Sequence, residues 1–155
     1  LLMKLCIVAD IPDEFTSFFP KDRGGDDSSN PHITVLYVGE IDNENITKAV
    51  DVVDSVVREM EPIRCEFGEI KSFPNGDYGV PHYVEVVADK GLKDLHYLLL
   101  SKLESAGVPA PQKYKDYKAH ATLQYLPEGK AYKGQPPTGE FMTNNITSSI
   151  FGDDV

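Results

Sequence analysis

Two short histidine-containing segments of this chain share one pattern. His32-Ile33-Thr34-Val35 recurs as His120-Ala121-Thr122-Leu123. Residues i and i+2 of a strand lie on the same face, so each imidazole is predicted to project together with its threonine hydroxyl. An imidazole exchanges protons near neutral pH, and a hydroxyl can donate to a phosphate oxygen. Two such pairs facing one cleft would supply an acid, a base and phosphate-binding groups, which is enough to cleave a phosphodiester without a metal ion.

The same alternation sorts the residues that follow each motif. Leu36 and Gln124, four positions after the histidines, are predicted to share the histidine face, so Gln124 is a candidate substrate contact. Tyr37 and Tyr125, one position further on, are predicted to lie on the opposite face and to pack under helices.

Charge and aromatic residues single out the segment before the second motif. The net charge of −10 disfavours binding to long duplex nucleic acid. Residues 112–134 nevertheless hold five lysines against two acidic residues, a local charge of +3. Lys115 and Lys118 are therefore candidate phosphate contacts, and a solvated lysine loop is the alternative. Four loop aromatics are candidate platforms for a nucleobase, with ordinary packing as the alternative: Phe73, Tyr78, Tyr114 and Tyr117.

Hydrophobic periodicity and turn residues predict the elements that must position these groups. Helical spacing of apolar residues predicts helices over 43–60 and 91–106, with Asn43 capping the first and Gly107 ending the second. Short apolar runs between turn signals predict the strands, and a loop with one short helical turn precedes the first motif. The predicted strands are 3–11, 32–38, 63–73, 82–88, 119–126, 140–143 and 146–151. Strand, motif strand and helix recur in each half, which suggests one half-domain used twice.

The remaining histidines and the cysteines carry no second site. His82 is expected at the rim of a sheet, and His96 is expected to pack on its leucine-rich helix. Cys6 and Cys65 are expected to be buried free thiols. No spacing among these residues suggests a metal site. The chain has no apolar run of membrane-spanning length and no leader-like start, so a cytoplasmic protein with one domain over residues 1–155 is expected.

The paired motifs resemble those that define the 2H phosphoesterase superfamily, the 2′-5′ RNA ligase-like or LigT-like proteins. The resemblance implies an α+β fold with two lobes related by a pseudo-twofold duplication. Antiparallel sheets would line a central groove, and helices would pack outside. It also implies a phosphodiesterase that needs no metal or other cofactor and acts on 2′,3′-cyclic phosphates or 2′-5′ linkages. His32 and His120 would divide the acid and base roles, while Thr34 and Thr122 would hold phosphate.

Two alternatives stay open at this point. One is a phage-type nuclease that degrades cyclic-oligonucleotide immune signals, since that branch shares the motifs. The other is a nucleotide-binding module of the same fold without turnover. In each case the expected partner is a small nucleotide or an RNA end and not a membrane. The expected protein is a monomer, either free or as a domain of a larger chain.

Overall fold

The computed structural model describes residues 3–24, 30–88, 90–113 and 115–152. These residues form seven strands and three helices. In chain order they are β1 (Met3–Asp10), α1 (Asp13–Thr16), β2 (His32–Ile41), α2 (Asn43–Glu59), β3 (Ile63–Ser72), β4 (Val80–Val87), α3 (Gly91–Ser105), β5 (His120–Leu126), β6 (Glu140–Thr143) and β7 (Ile146–Gly152). The predicted strands and long helices are confirmed to within a few residues, and β2 extends three residues beyond its prediction.

Local sequence signals fix the ends of the two long helices. The side chain of Asp42 accepts a hydrogen bond from the Asn45 amide at 2.8 Å, so Asp42 is the N-cap of α2 and the prediction of Asn43 is wrong by one residue. Gly107 follows α3 with a φ of 80°, as predicted for a glycine that ends a helix. No helix in the described ranges is long and apolar enough to cross a membrane.

The strands form one antiparallel sheet in the order β6-β3-β4-β5-β2-β1-β7. The two motif strands, β5 and β2, are neighbours at its centre. Each has a long antiparallel partner on its outer side, β4 for β5 and β1 for β2. Among the described residues, β2 and β5 are in register only at Ile33 and Ala121. The sheet is therefore continuous but weakly joined at the centre, where the two halves of the chain meet.

One face of this sheet carries the core. The strands contribute fully buried side chains such as Leu5, Ile33 and Val84, and α3 contributes a stripe of leucines at helical spacing. These stripe residues are Leu92, Leu95, Leu99 and Leu103. The predicted α+β class is confirmed. The single domain and the origin of the two halves in a duplication stay predictions.

Candidate active site

The two motifs meet where the motif strands join. Ile33 and Ala121, the second residues of the motifs, pair directly across β2 and β5. The second and fourth residues of each motif are completely buried: Ile33, Val35, Ala121 and Leu123. The first and third residues are only half-buried: His32, Thr34, His120 and Thr122. Alternation along the strands therefore turns all four predicted site residues away from the core, onto the face of the sheet where the resemblance implies the central groove.

Both imidazoles are oriented by the same hydrogen bond. His32 Nδ1 lies 3.0 Å from the Asn30 carbonyl oxygen, and His120 Nδ1 lies 2.8 Å from the Lys118 carbonyl oxygen. A carbonyl oxygen can only accept, so Nδ1 carries a proton in each ring. In the neutral imidazole, Nε2 is then the atom that can take up a proton. The two halves of the site thus present the same nitrogen in the same way.

His120 lies in a drier environment than the motif alone would suggest. The ring centroids of Phe73 and Tyr83 are 5.0 Å and 5.1 Å from that of its imidazole. Burial lowers the pKa of His120, the hydrogen bond to the Lys118 carbonyl raises it by a smaller amount, and the nearby His32 lowers it again. The pairing of Ile33 with Ala121 places the two histidines on neighbouring strands of the sheet. Sequence reasoning missed Tyr83, because only the β4–β5 register places it opposite Thr122.

A β-bulge follows the threonine in both motif strands. On β2, Val8 of β1 pairs with Thr34 and Ile7 pairs with Leu36, so Val35 has no partner in the register. On β5, Tyr83 of β4 pairs with Thr122 and His82 pairs with Gln124, so Leu123 is the extra residue. The bulges fall at the same motif position. Each adds one residue and thereby reverses the alternation beyond the threonine.

The bulges overturn the predicted faces of the residues after the motifs. Leu36 is buried in the core and does not share the histidine face. Gln124 pairs with His82, and His82 lies on the opposite face of β4 from the adjacent Tyr83, so Gln124 does not share the histidine face. The Gln124 side-chain amide donates to the Asp22 carbonyl at 3.1 Å. The predicted position of Gln124 on the histidine face, which made it a candidate substrate contact, is therefore wrong.

The two tyrosines at matching positions after the motifs, Tyr37 and Tyr125, lie on the face opposite to the predicted one. Tyr37 pairs with Cys6, whose thiol lies 3.9 Å from the Thr34 hydroxyl, so Tyr37 shares the face of Thr34. It is 47% exposed and does not pack under a helix. Tyr125 pairs with Pro81, two residues before Tyr83, and so lies on the same face of β4 and β5. Both tyrosines thus belong to the histidine face.

Side chains hydrogen-bond the β2 carbonyls beyond the junction with β5. The Tyr117 hydroxyl donates to the Thr34 carbonyl at 2.8 Å, and His96 Nδ1 donates to the Val35 carbonyl at 2.7 Å. The two rings stack with centroids 4.5 Å apart. Gln112 adds a bond to the Tyr37 carbonyl at 3.1 Å. These donors satisfy the backbone where β5 does not.

Tyr117 therefore has a structural role as a hydrogen-bond donor to the backbone of β2. Burial raises the pKa of its hydroxyl above the ordinary range, with smaller contributions from the thiols of Cys65 and Cys6, so the group stays protonated and available as a donor. These contacts favour packing over the nucleobase stacking considered for Tyr117. The expectation that His96 packs is confirmed, since it is 5% exposed.

The remaining candidates lie around the second motif. The side chains of Lys115 and Lys118 are exposed, and Lys118 lies two residues before His120. Tyr114 lies outside the described residues. Cys65 is buried as expected, whereas Cys6 is only partly buried because it faces the groove beside Thr34. In the described ranges, no group of three or more His, Cys, Asp or Glu residues is arranged to hold a metal ion.

A seven-stranded α+β fold with two histidine–threonine pairs at its central junction is the arrangement that the resemblance to the 2H phosphoesterases implies. The family model of the 2′-5′ RNA ligase superfamily matches residues 10–137, and the chain belongs to this superfamily. The chain is also 28% identical over 126 residues to an RNA 2′,3′-cyclic phosphodiesterase of Archaeoglobus fulgidus. The match covers 80% of this chain but 64% of that relative, so the chain spans less than two-thirds of its length.

Solved structures share the fold over nearly the whole chain. E. coli LigT in complex with 3′-AMP superposes with a TM-score of 0.65 at 12% identity, covering 98% of this chain and 97% of LigT. TT0787 of Thermus thermophilus gives a TM-score of 0.69 at 17% identity, covering 96% and 95%. The MHV ns2 PDE domain gives 0.61 at 12% identity, covering 96% and 98%. The resemblance read from the motifs is confirmed at the level of family and fold.

Proposed function

We propose that this chain is a phosphodiesterase that uses two histidines and no metal ion, and that it acts on a 2′,3′-cyclic phosphate or a 2′-5′ linkage of a nucleotide or RNA end. The observation that carries the proposal is the matched orientation of His32 and His120, each fixed through Nδ1 at the start of a motif strand. The activity in the name of the Archaeoglobus relative and the 3′-AMP bound to LigT support this substrate class.

The surroundings of His120 favour it as the base. Because the pKa of His120 is lowered, its Nε2 is unprotonated at neutral pH and can accept a proton from water. The water oxygen then bonds to phosphorus as the bond from phosphorus to a ribose oxygen breaks. His32 gives its Nε2 proton to the departing ribose oxygen, so that charge and protons balance. The hydroxyls of Thr34 and Thr122 donate to the non-bridging oxygens, where negative charge is concentrated.

The residues around the two motifs favour a small nucleotide or an RNA end as substrate over a long nucleic acid. Tyr37 and Tyr125 lie on the histidine face and offer flat rings to bases on either side of the phosphate. Lys115 and Lys118 are exposed and precede the second motif in the chain, where their ammonium groups would meet additional phosphate charge. The strongly acidic remainder of the chain repels a long phosphate backbone.

A product-resolved assay tests the proposal. The substrates are 2′,3′-cyclic nucleoside monophosphates, 2′-5′ oligoadenylate and cyclic dinucleotides, assayed with the wild type and with His32→Ala, His120→Ala and His82→Ala. Loss of general acid or base catalysis lowers the rate by about 10²–10⁴-fold, so each motif variant is expected to lose at least that much. His82→Ala is the matched control, because it removes a histidine of β4 that lies outside both motifs.

Three outcomes would contradict the proposal in different ways. Retained turnover in either motif variant would exclude a mechanism that needs both histidines. Saturable binding of these nucleotides without any product would indicate a binding module. Turnover of cyclic oligonucleotides alone would indicate the phage-type activity in place of the one proposed.

A further inference from the structure

We propose that Phe73 and Tyr83 are positioning residues that hold the His120 imidazole as the neutral proton acceptor of the site, and that the Lys71–Glu85 ion pair assists them by keeping a carboxylate away from that imidazole. The catalytic meaning of this inference rests on the proposed function. The effect on His120 itself follows from the neighbouring side chains and can be measured without a substrate.

The two aromatic rings form one block beside His120. Phe73 and Tyr83 stack on each other with centroids 4.3 Å apart and planes at 25°. Both meet the imidazole at a steep angle, 77° for Phe73 and 61° for Tyr83. Tyr83 is fixed by the β4–β5 register, in which it pairs with Thr122, and it is 8% exposed. The block therefore lies against the imidazole from the neighbouring strand and from the end of β3.

This contact has two physical consequences for the imidazole. The rings take the place of water molecules that would solvate an imidazolium, so they disfavour the charged form. They also limit rotation of the ring, which the Nδ1 bond to the Lys118 carbonyl already restrains from another side. An imidazole held by two independent contacts keeps Nε2 directed into the groove, as a proton acceptor requires.

A carboxylate lies on the same face and would oppose this effect. Glu85 of β4 pairs with His120 of β5, and paired residues of antiparallel strands have Cβ atoms about 4.5–5.5 Å apart. A free carboxylate on the residue directly opposite His120 would stabilise the imidazolium. Instead, Glu85 lies 2.6 Å from Lys71 Nζ, and this bond raises the pKa of Lys71. Lys71 of β3 pairs with Tyr83 of β4, so its ammonium group draws the Glu85 carboxylate toward β3, on the side of β4 away from His120.

The other charged neighbours act in known directions. The imidazole of His32 on β2 lowers the pKa of His120 when it is protonated. Lys118, two residues before His120, faces solvent with its ammonium group and touches His120 through its carbonyl. Both groups are present in every variant of the experiment that follows, so differences in the His120 pKa between variants report the altered side chains.

The test is an NMR titration of histidine-labelled protein, with the four histidines assigned by substitution. In Phe73→Leu and Tyr83→Leu, the His120 pKa is expected to rise toward the ordinary histidine value. Tyr83→Phe keeps the ring and should leave it unchanged. Tyr97→Leu removes a ring 4.8 Å from His96 on α3 and is the control for ring loss elsewhere. An unchanged or lower His120 pKa in the two leucine variants would overturn the proposal, since a fall would mean that the rings favour the imidazolium.

A second pair of variants tests the ion pair. Lys71→Met frees the Glu85 carboxylate, so the His120 pKa is expected to rise, and adding Glu85→Gln should reverse that rise. Failure of the reversal would refute the role given to Glu85. Phe73 lies at the end of β3 and is partly exposed, so Phe73→Leu keeps the test usable if Tyr83→Leu does not fold.

Turnover separates this inference from the proposed function. With an active wild type, the acid limb of the kcat/KM profile should move to higher pH in the leucine variants, as the His120 pKa does. If no substrate is turned over, the proposed function fails, and the NMR titration still decides the role of the rings. If turnover is normal and the His120 titration is unmoved by ring loss, the inference fails alone.

Discussion

Removing the Tyr117 hydroxyl should destabilise the protein through the Thr34 carbonyl. In Tyr117→Phe the ring and its stack on His96 remain, and only the 2.8 Å bond to that carbonyl is lost. A partly buried acceptor left without its donor costs about 1–2 kcal/mol, near the lower end of the range for unsatisfied buried groups. For a chain of this size that corresponds to roughly 2–8 °C in Tm. Chemical denaturation of the variant and the wild type measures the free energy of unfolding directly.

Tyr97→Phe supplies a matched control. It also removes a hydroxyl that donates to a backbone carbonyl at 2.8 Å, that of Lys115, but on an exposed surface where water replaces the lost donor. Its cost should stay within about 0.5 kcal/mol. Equal losses in the free energy of unfolding of the two variants would refute the claim that the Tyr117 hydroxyl stabilises β2 through the Thr34 carbonyl. A large rise in KM with unchanged stability would instead restore the earlier interpretation of Tyr117 as a substrate contact.

Three further predictions concern the groove. Because the pKa of His120 is lowered in the folded protein, the imidazole of His120 binds a proton more readily in the unfolded chain. The free energy of unfolding should therefore fall as the pH drops below about 6.5, the ordinary histidine value. Denaturation of His120→Gln across pH 5–8 should show a weaker pH dependence than that of the wild type. Turnover in excess EDTA should equal that without chelator, and a strict metal requirement restored by added ions would contradict the two-histidine mechanism. Tyr37→Ala and Tyr125→Ala should raise KM more than they lower kcat, whereas unchanged KM in both would remove these rings from substrate binding.

The sequence was sufficient for the elements and for the four motif side chains. Helical spacing, turn residues and strand alternation are local properties, so α2, α3, the strands and the outward direction of His32 and His120 could be predicted. The alternation failed one residue after each threonine, because no residue type marks the bulges at Val35 and Leu123. A bulge depends on pairing with a second strand, and a single sequence does not state the register.

The same limit explains why the surroundings of His120 were not predicted. Phe73, Tyr83 and Glu85 are separated from the second motif by a whole helix and its flanking loops. Their roles depend on which residue of β4 lies opposite which residue of β5. The lysines before His120 could be identified because they are neighbours in the chain, whereas Lys71 reaches the site only through its ion pair across β3 and β4.

The differences between the two halves matter chemically as much as their likeness. Matched motifs, bulges and Nδ1 bonds give two equivalent imidazoles, yet hydrolysis needs one that is protonated and one that is not. Two histidines with the same pKa would divide these roles poorly, because a pH that keeps one imidazole neutral as the base also deprotonates the other, which must act as the acid. The aromatic block lies against His120, while on β2 side chains bond the carbonyls of Thr34 and Val35. In the proposed mechanism, repetition thus supplies the reactive groups, and the unmatched contacts around them assign each histidine its part in the reaction.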